Sequence, residues 1–190
     1  MTVRGCRATD ESELMPADRL VDQLNAQIGN EFHAHQQYTA VAFYFDGLTM
    51  PQTAAFFYRQ AREERNHALM MAQYLIDSDA PVRIPSVDEP VNEFHSVVEP
   101  IELAVAQEHR VTRQISALMT TAREEFDFAS EQFFQWFIKE QVEETAKMSD
   151  LFTVVSRAPE NIEAIEDYVL REQGTNAADP TAPRIAGATA

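Results

Sequence analysis

The 190-residue chain carries 31 Asp and Glu against 15 Lys and Arg, a formal net charge of -16. Such acidity works against binding nucleic acid or an anionic membrane and makes cations the natural counter-charge, although an acidic surface also serves solubility alone. Hydrophobic residues at 45% exclude a wholly disordered chain, and only five Gly favour long helices over a turn-rich sheet sandwich.

Residues 1–15 read as a flexible N-terminal segment. Its Cys6, the single cysteine, has no partner for an internal disulfide. Residues 1–19 contain no stretch resembling a signal peptide and no later window approaches a transmembrane span, so the sequence predicts a soluble, cytoplasmic protein.

From Pro16 a roughly sevenfold series, Leu20, Leu24, Gln27, Glu31, Ala34, Tyr38, Val41 and Phe45, predicts a first helix over about 16–46, closed by Asp46-Gly47. Phe57, Ala61, Glu64, Ala68, Met71 and Leu75 predict a second over 52–79, and the short join makes the two an antiparallel hairpin. Pro81, Pro85 and Pro90 then mark an extended crossover. Ile101, Ala104, Glu108, Val111, Ile115 and Leu118 predict a third helix over 95–124, with Pro100 in its first turns. The fourth, over 130–157, carries Phe134, Phe137, Gln141, Glu144, Met148, Leu151 and Val155. A fifth, shorter helix after Pro159 is too short to stand alone and should dock on the body or on another subunit. Residues 174–190, rich in Ala, Pro, Thr and Gly, read as a flexible tail. The expectation is one domain over 16–173: an all-α four-helix bundle with a long crossover and a short fifth helix.

The chemistry lies where the apolar seams break. Glu31, Glu64, Glu108 and Glu144 take inward positions on four different helices, and a carboxylate taken out of water must be paired, metal-bound or protonated. His67 follows Glu64 by three residues on the same helical face, so the two can chelate one centre. A lone Glu-x-x-His is more often a surface pair; the three other carboxylates give this one its weight. Four Glu charges balance two divalent cations, and oxygen donors with one imidazole suit iron, manganese or zinc. Ligand geometry assigns Glu31 and His67 to one metal, Glu64 to the bridge, and Glu108 and Glu144 to the other. Gln141 is then a weaker ligand or a hydrogen-bond partner.

Glu63, Glu140 and Glu143 adjoin Glu64, Gln141 and Glu144. They read either as an ordinary acidic face or as a third, weaker iron position. Tyr38, one seam step from Glu31, reads equally as a core residue or as a redox-active tyrosine beside the metals. Trp136 reads as packing, and His33, His35, His95 and His109 as surface or packing residues.

Asn30-Glu31-Phe32 with Gln36-Gln37-Tyr38, Glu63-Glu64-Arg65-Asn66-His67-Ala68, Glu108, and Glu131-Gln132-Phe133 through Trp136-Phe137 to Glu140-Gln141 and Glu143-Glu144 resemble the ferritin family, in particular non-haem bacterial ferritins of the mycobacterial or actinobacterial type. The resemblance covers about residues 16–173. It implies a ferroxidase that oxidises Fe(II) with dioxygen or hydrogen peroxide and stores ferric oxyhydroxide inside a homo-oligomeric shell of 24 subunits with octahedral symmetry. It places the first iron at Glu31, Glu64 and His67 and the second at Glu64, Glu108 and Glu144, with Gln141 nearby. It gives the third to Glu63, Glu140 and Glu143 sharing Glu144, and sets Tyr38 and Trp136 beside the centre. Bacterioferritins have histidine where this chain has Glu144 and a haem-binding methionine where it has Arg65, so the resemblance implies no haem. Glu124, Glu125, Asp127 and Glu131 are candidates for a threefold channel in such a shell. A diiron oxygenase acting on an organic substrate and a purely structural bundle are the competing readings of the same seams.

Overall fold

The computed structural model describes residues 16–172 and 179–188. The N-terminal segment with Cys6, and the tail residues 173–178 and 189–190, lie outside the described residues. Four long helices, α1 (Asp18–Gly47), α2 (Pro51–Asp77), α3 (Glu99–Glu124) and α4 (Phe128–Arg157), are followed by a short α5 (Ile162–Glu172). The chain is all-α, as the periodicity predicts.

Two apolar clusters divide the core lengthwise. One gathers Leu20, Leu24 and Ile28 of α1 with Met71 and Leu75 of α2, Ile115 of α3, and Phe134 and Phe137 of α4. The other gathers Tyr38 and Phe45, Phe57, Ile101, and Met148 and Leu151 from the same four helices, and α5 adds Ile165 and Val169. Along the chain α1 and α4 run from the first cluster to the second, while α2 and α3 run the opposite way. The parallel pair α2 and α3 requires a connection that travels the length of the bundle.

That connection, residues 78–98, is non-helical and is held on α1 by polar side chains, Asn25 and Gln37 foremost. Asn25 donates to the Pro81 carbonyl at 2.9 Å and accepts from the Arg83 amide at 2.6 Å. Gln37 does the same with Val91, at 2.9 and 2.8 Å. Pro85 lies so close to α1 that a Cβ on Gly29 would stand 2.5 Å from its Cγ. This is why a glycine, a poor helix former, sits in the middle of α1.

The helix ends differ from the sequence expectation. α1 ends at Gly47, within a residue of the expected end, but the left-handed residue that closes it is Thr49, at a φ of 60°. The Met50 amide returns to the Phe45 carbonyl at 3.0 Å and the Thr49 amide to that of Asp46 at 3.0 Å, so α1 closes in a Schellman motif. Asp79 after α2 and Phe126 after α3 repeat it, at φ of 55° and 56°. α3 begins at Glu99, four residues later than expected, so Pro100 occupies its first turn, where a missing N–H costs nothing.

α5 docks on the body of its own subunit. Its Glu166 accepts from the amides of Gln52 and Thr53 at 2.7 and 2.9 Å and from the Thr53 hydroxyl at 2.6 Å, capping the N-terminus of α2 from outside that helix.

The tail, read from its composition as flexible, lies against α2 and α4 over residues 179–188. Asp179 accepts from the Trp136 indole at 3.1 Å, the Ala186 amide donates to the Leu69 carbonyl at 3.2 Å, and Ala182 and Ile185 pack on the first apolar cluster. Apolar contact, the Asp179 carboxylate, the Ala186 amide and the Arg184–Asp77 pair at 3.4 Å hold what composition alone reads as linker.

Candidate metal centre

Between the two apolar clusters lies a polar layer. Glu31 comes from α1, Glu64 and His67 from α2, Glu108 from α3, and Gln141 and Glu144 from α4, each at most 5% exposed. Each helix brings its residues inward for the reason read in the sequence: they continue the stripe that carries Ile28, Ala61, Ala104 and Phe137 on either side.

Glu31, Glu64 and His67 come closest, with one ligand atom from each all within 4.8 Å of one another. His67 Nδ1 stands 3.6 Å from Glu64 Oε2. Gln27 donates to Glu31 Oε1 at 2.7 Å, the Tyr38 hydroxyl donates to Glu108 Oε1, and Lys147 donates to Glu144 Oε1 at 2.6 Å. In each of the four glutamates Oε2 is buried and has no hydrogen-bond partner among the described residues. A buried carboxylate oxygen left in that state is destabilising by roughly 1–3 kcal/mol or more. Four such atoms in one layer are oxygen donors suited to a cation.

The electrostatics agree. Burial, reinforced by neighbouring Glu64, pushes the Glu31 carboxyl well above its ordinary value; burial and Glu108 do the same to Glu64. Burial raises Glu108 to about 6 against the hydrogen bond from Tyr38, and raises Glu144 to about 7 against the attraction of Lys147. Tyr38, fully buried beside Glu108, is held well above the usual phenol value by that burial and by the carboxylate. Carboxyls raised in this way hold protons that a bound cation would displace.

Gln141 accepts from Thr112 at 2.9 Å, and its amide supports Glu108. The rings of Trp136 and His67 meet in a T-shaped contact, with centroids 5.7 Å apart.

Glu63, Glu140 and Glu143 line a cavity of about 450 Å³ between α2, α4 and the tail, which also reaches His67, Trp136, Lys147 and Asp179. Glu63 accepts from Gln60, Glu140 is half-buried with its carboxyl raised by burial, and Glu143 is exposed.

His33 and His35 bond the carbonyls of Asp88 and Ala61, at 3.3 and 2.7 Å, and His95 and His109 are exposed. Glu124 and Glu131 form ion pairs with Arg19 and Arg123, each at 2.8 Å, and Glu125 stands 4.0 Å from Arg19. Asp127 caps α4, accepting from the Ser130 amide at 2.9 Å.

Sequence reasoning missed two residues here. Lys147 contacts Glu144 and reads in sequence as a surface lysine; its signal was the i, i+3 spacing to an inward glutamate. Asp179 lies in the tail, where no periodicity points to it.

Among the described residues no helix is long and apolar enough to cross a membrane. A profile of the ferritin-like domain matches residues 21–158. Over 161 residues the chain is 53% identical to the ferritin BfrB of Mycolicibacterium smegmatis, covering 85% of this chain and 89% of that one. It is 33% identical over 165 residues to a bacterial non-heme ferritin of Staphylococcus aureus, covering 87% and 99%. Among solved structures, an open pore ferritin from Archaeoglobus fulgidus superposes with a TM-score of 0.78 at 30% identity, covering 82% of this chain and 96% of that chain. With its two apolar half-cores and the buried Glu, Glu and His between them, the chain belongs to the ferritin family.

Proposed function

We propose that this protein is a ferroxidase and iron-storage ferritin. It oxidises Fe(II) with dioxygen or hydrogen peroxide at a dinuclear centre and stores ferric oxyhydroxide inside a shell of 24 subunits with octahedral symmetry. The observation that carries this reading is the set of four buried glutamates, one from each long helix, each with an oxygen in one layer that has no partner among the described residues.

Ferrous iron is the substrate. Glu31 and His67 bind one ion, Glu108 and Glu144 the other, and Glu64 bridges them. Gln141 completes the second position as a weak ligand or through its hydrogen bond to Glu108. Binding displaces the protons that the empty carboxylates hold. The iron pair then supplies one electron per ion to the oxidant, and hydrolysis of the ferric product releases further protons. Tyr38, hydrogen-bonded to Glu108, stands where it can steady that ligand or lend an electron. Glu63, Glu140 and Glu143, with Glu144, form a third and weaker position on the cavity side of the centre. Similarity to ferritins, together with the acidic surface, supports storage in a shell over oxygenation of an organic substrate.

Aerobic addition of many ferrous ions per subunit tests this. The expected product is a soluble ferric mineral in a large assembly. Glu64→Ala, which removes the bridge, should slow the initial oxidation by about 100-fold or more, since loss of a group that merely supports a ligand already costs about 10–100-fold. Precipitation of free ferric hydroxide by the intact protein would contradict storage, and a normal initial rate in the variant would contradict the bridge.

A further inference from the structure

Among the described residues the polar layer has one direct lysine or arginine contact, Lys147. Its Nζ donates to Glu144 Oε1 at 2.6 Å, and its side chain is 43% exposed while that of Glu144 is 3% exposed. The same ammonium is attracted by Glu63 and Glu140, and Lys147 lines both the cavity against the tail and a neighbouring one of about 390 Å³ beneath α5. Glu63 and Glu143 line both cavities as well. One flexible cation therefore stands where the carboxylates of the third position converge, bonded to the glutamate that this position shares with the dinuclear centre. Lys139, the other ammonium at the same cavity, is directed to Asp179 at 3.4 Å.

We propose that Lys147 is a positioning residue that occupies the third iron position as its resident counter-cation and keeps that position weak. It acts through Glu144. While the position is empty, the ammonium neutralises one oxygen of Glu144 and holds the carboxylate in place. A ferrous ion drawn to Glu63, Glu140, Glu143 and Glu144 must displace it, and the half-exposed side chain can swing toward solvent. When the ion leaves, the ammonium returns. Like charge at this distance lowers the affinity of the arriving ion without closing the route. The third position then serves as a place of transit between the buried pair and the cavity side. This inference rests on the reading of the polar layer as an iron site.

Binding of Fe(II) by the full chain without oxygen, followed by equilibrium dialysis, tests it. The intact protein should hold two ferrous ions tightly and a third weakly. Lys147→Met, which keeps the length of the side chain and removes its charge, should tighten the third ion by about tenfold or more while the two tight ions remain. Lys147→Arg should leave the third ion as weak as in the intact protein. Should the Met variant fail to fold by circular dichroism, Lys147→Gln takes its place in the comparison. A third ion no tighter in the uncharged variant would overturn the proposal, as would an Arg variant that binds as tightly as the Met variant, because size and not charge would then be responsible. If the intact protein holds no tight ferrous ions at all, the dinuclear reading itself fails and this inference falls with it.

Discussion

The Tyr38 hydroxyl of α1 donates to Glu108 Oε1 of α3 across the polar layer, and both side chains are sealed from solvent. The bond stabilises the ionised form of Glu108, opposing the burial that raises it. Tyr38→Phe removes the donor and almost no volume. Glu108 then holds its proton to a higher pH, so the rising limb of the oxidation rate against pH should move up by about one pH unit, the size of one charge-assisted hydrogen bond. A profile that stays in place while the rate falls would instead point to Tyr38 as an electron donor.

The raised carboxyls also set how stability depends on pH. Glu108 at about 6 and Glu144 at about 7 bind protons more tightly in the folded chain than in the unfolded one. Their contribution is therefore fully present below about 4.5 and is lost as pH rises through 6 and 7. Metal-free protein should become less stable between pH 5 and pH 8, by on the order of a few kcal/mol per subunit. Glu144→Gln should flatten that loss, and Zn(II), a redox-inert ion for the same donors, should raise the melting temperature most at pH 8. Calorimetric melts across the range check all three.

Three helices end on residues that strain the backbone, and Thr49 is the worst placed. A β-branched side chain at a φ of 60° is disfavoured by about 1 kcal/mol or more relative to glycine. Thr49→Gly should therefore stabilise the protein by about 1 kcal/mol, read as a higher midpoint in denaturant. Asp79→Gly should gain less, because Asp tolerates the left-handed region better. In contrast, Gly29→Ala, favourable by helix propensity, should destabilise the protein, since the new Cβ meets Pro85.

These details separate what was legible in the sequence from what was not. The four long helices could be read because each buries one continuous stripe, and Glu31, Glu64, Glu108 and Glu144 could be read because a carboxylate on such a stripe is anomalous wherever it falls. Periodicity carries no information about a helix end set by left-handed Thr49, since Gly47 just before it is the more usual stop. Lys147 was hidden by chemistry of the opposite kind: a lysine outside the apolar stripe is ordinary, and only the direction of its side chain joins it to Glu144. Pairing of Arg19 with Glu124 and of Arg123 with Glu131 likewise depends on how helix ends meet, which no local pattern encodes.

The tail supplies the last test, because its anchor is the only tryptophan of the chain. Trp136 donates its indole N–H to Asp179, which the hydroxyl and amide of Thr181 hold ionised well below the usual carboxylate range. The same indole contacts the His67 ring. Asp179→Ala should leave the bundle folded, since α5 is fixed independently by Glu166 and the tail adds only a few apolar contacts. The indole would then lose its acceptor, and one wall of the cavity beside Glu63 and Glu140 would loosen. Emission from this single tryptophan should shift toward the red by a few nanometres and become easier to quench with acrylamide, and removal of residues 179–190 should produce the same change. If neither variant altered the emission, the segment would not be seated on Trp136 in solution, and the cavity beside the metal centre would stand open to the face that the tail now covers.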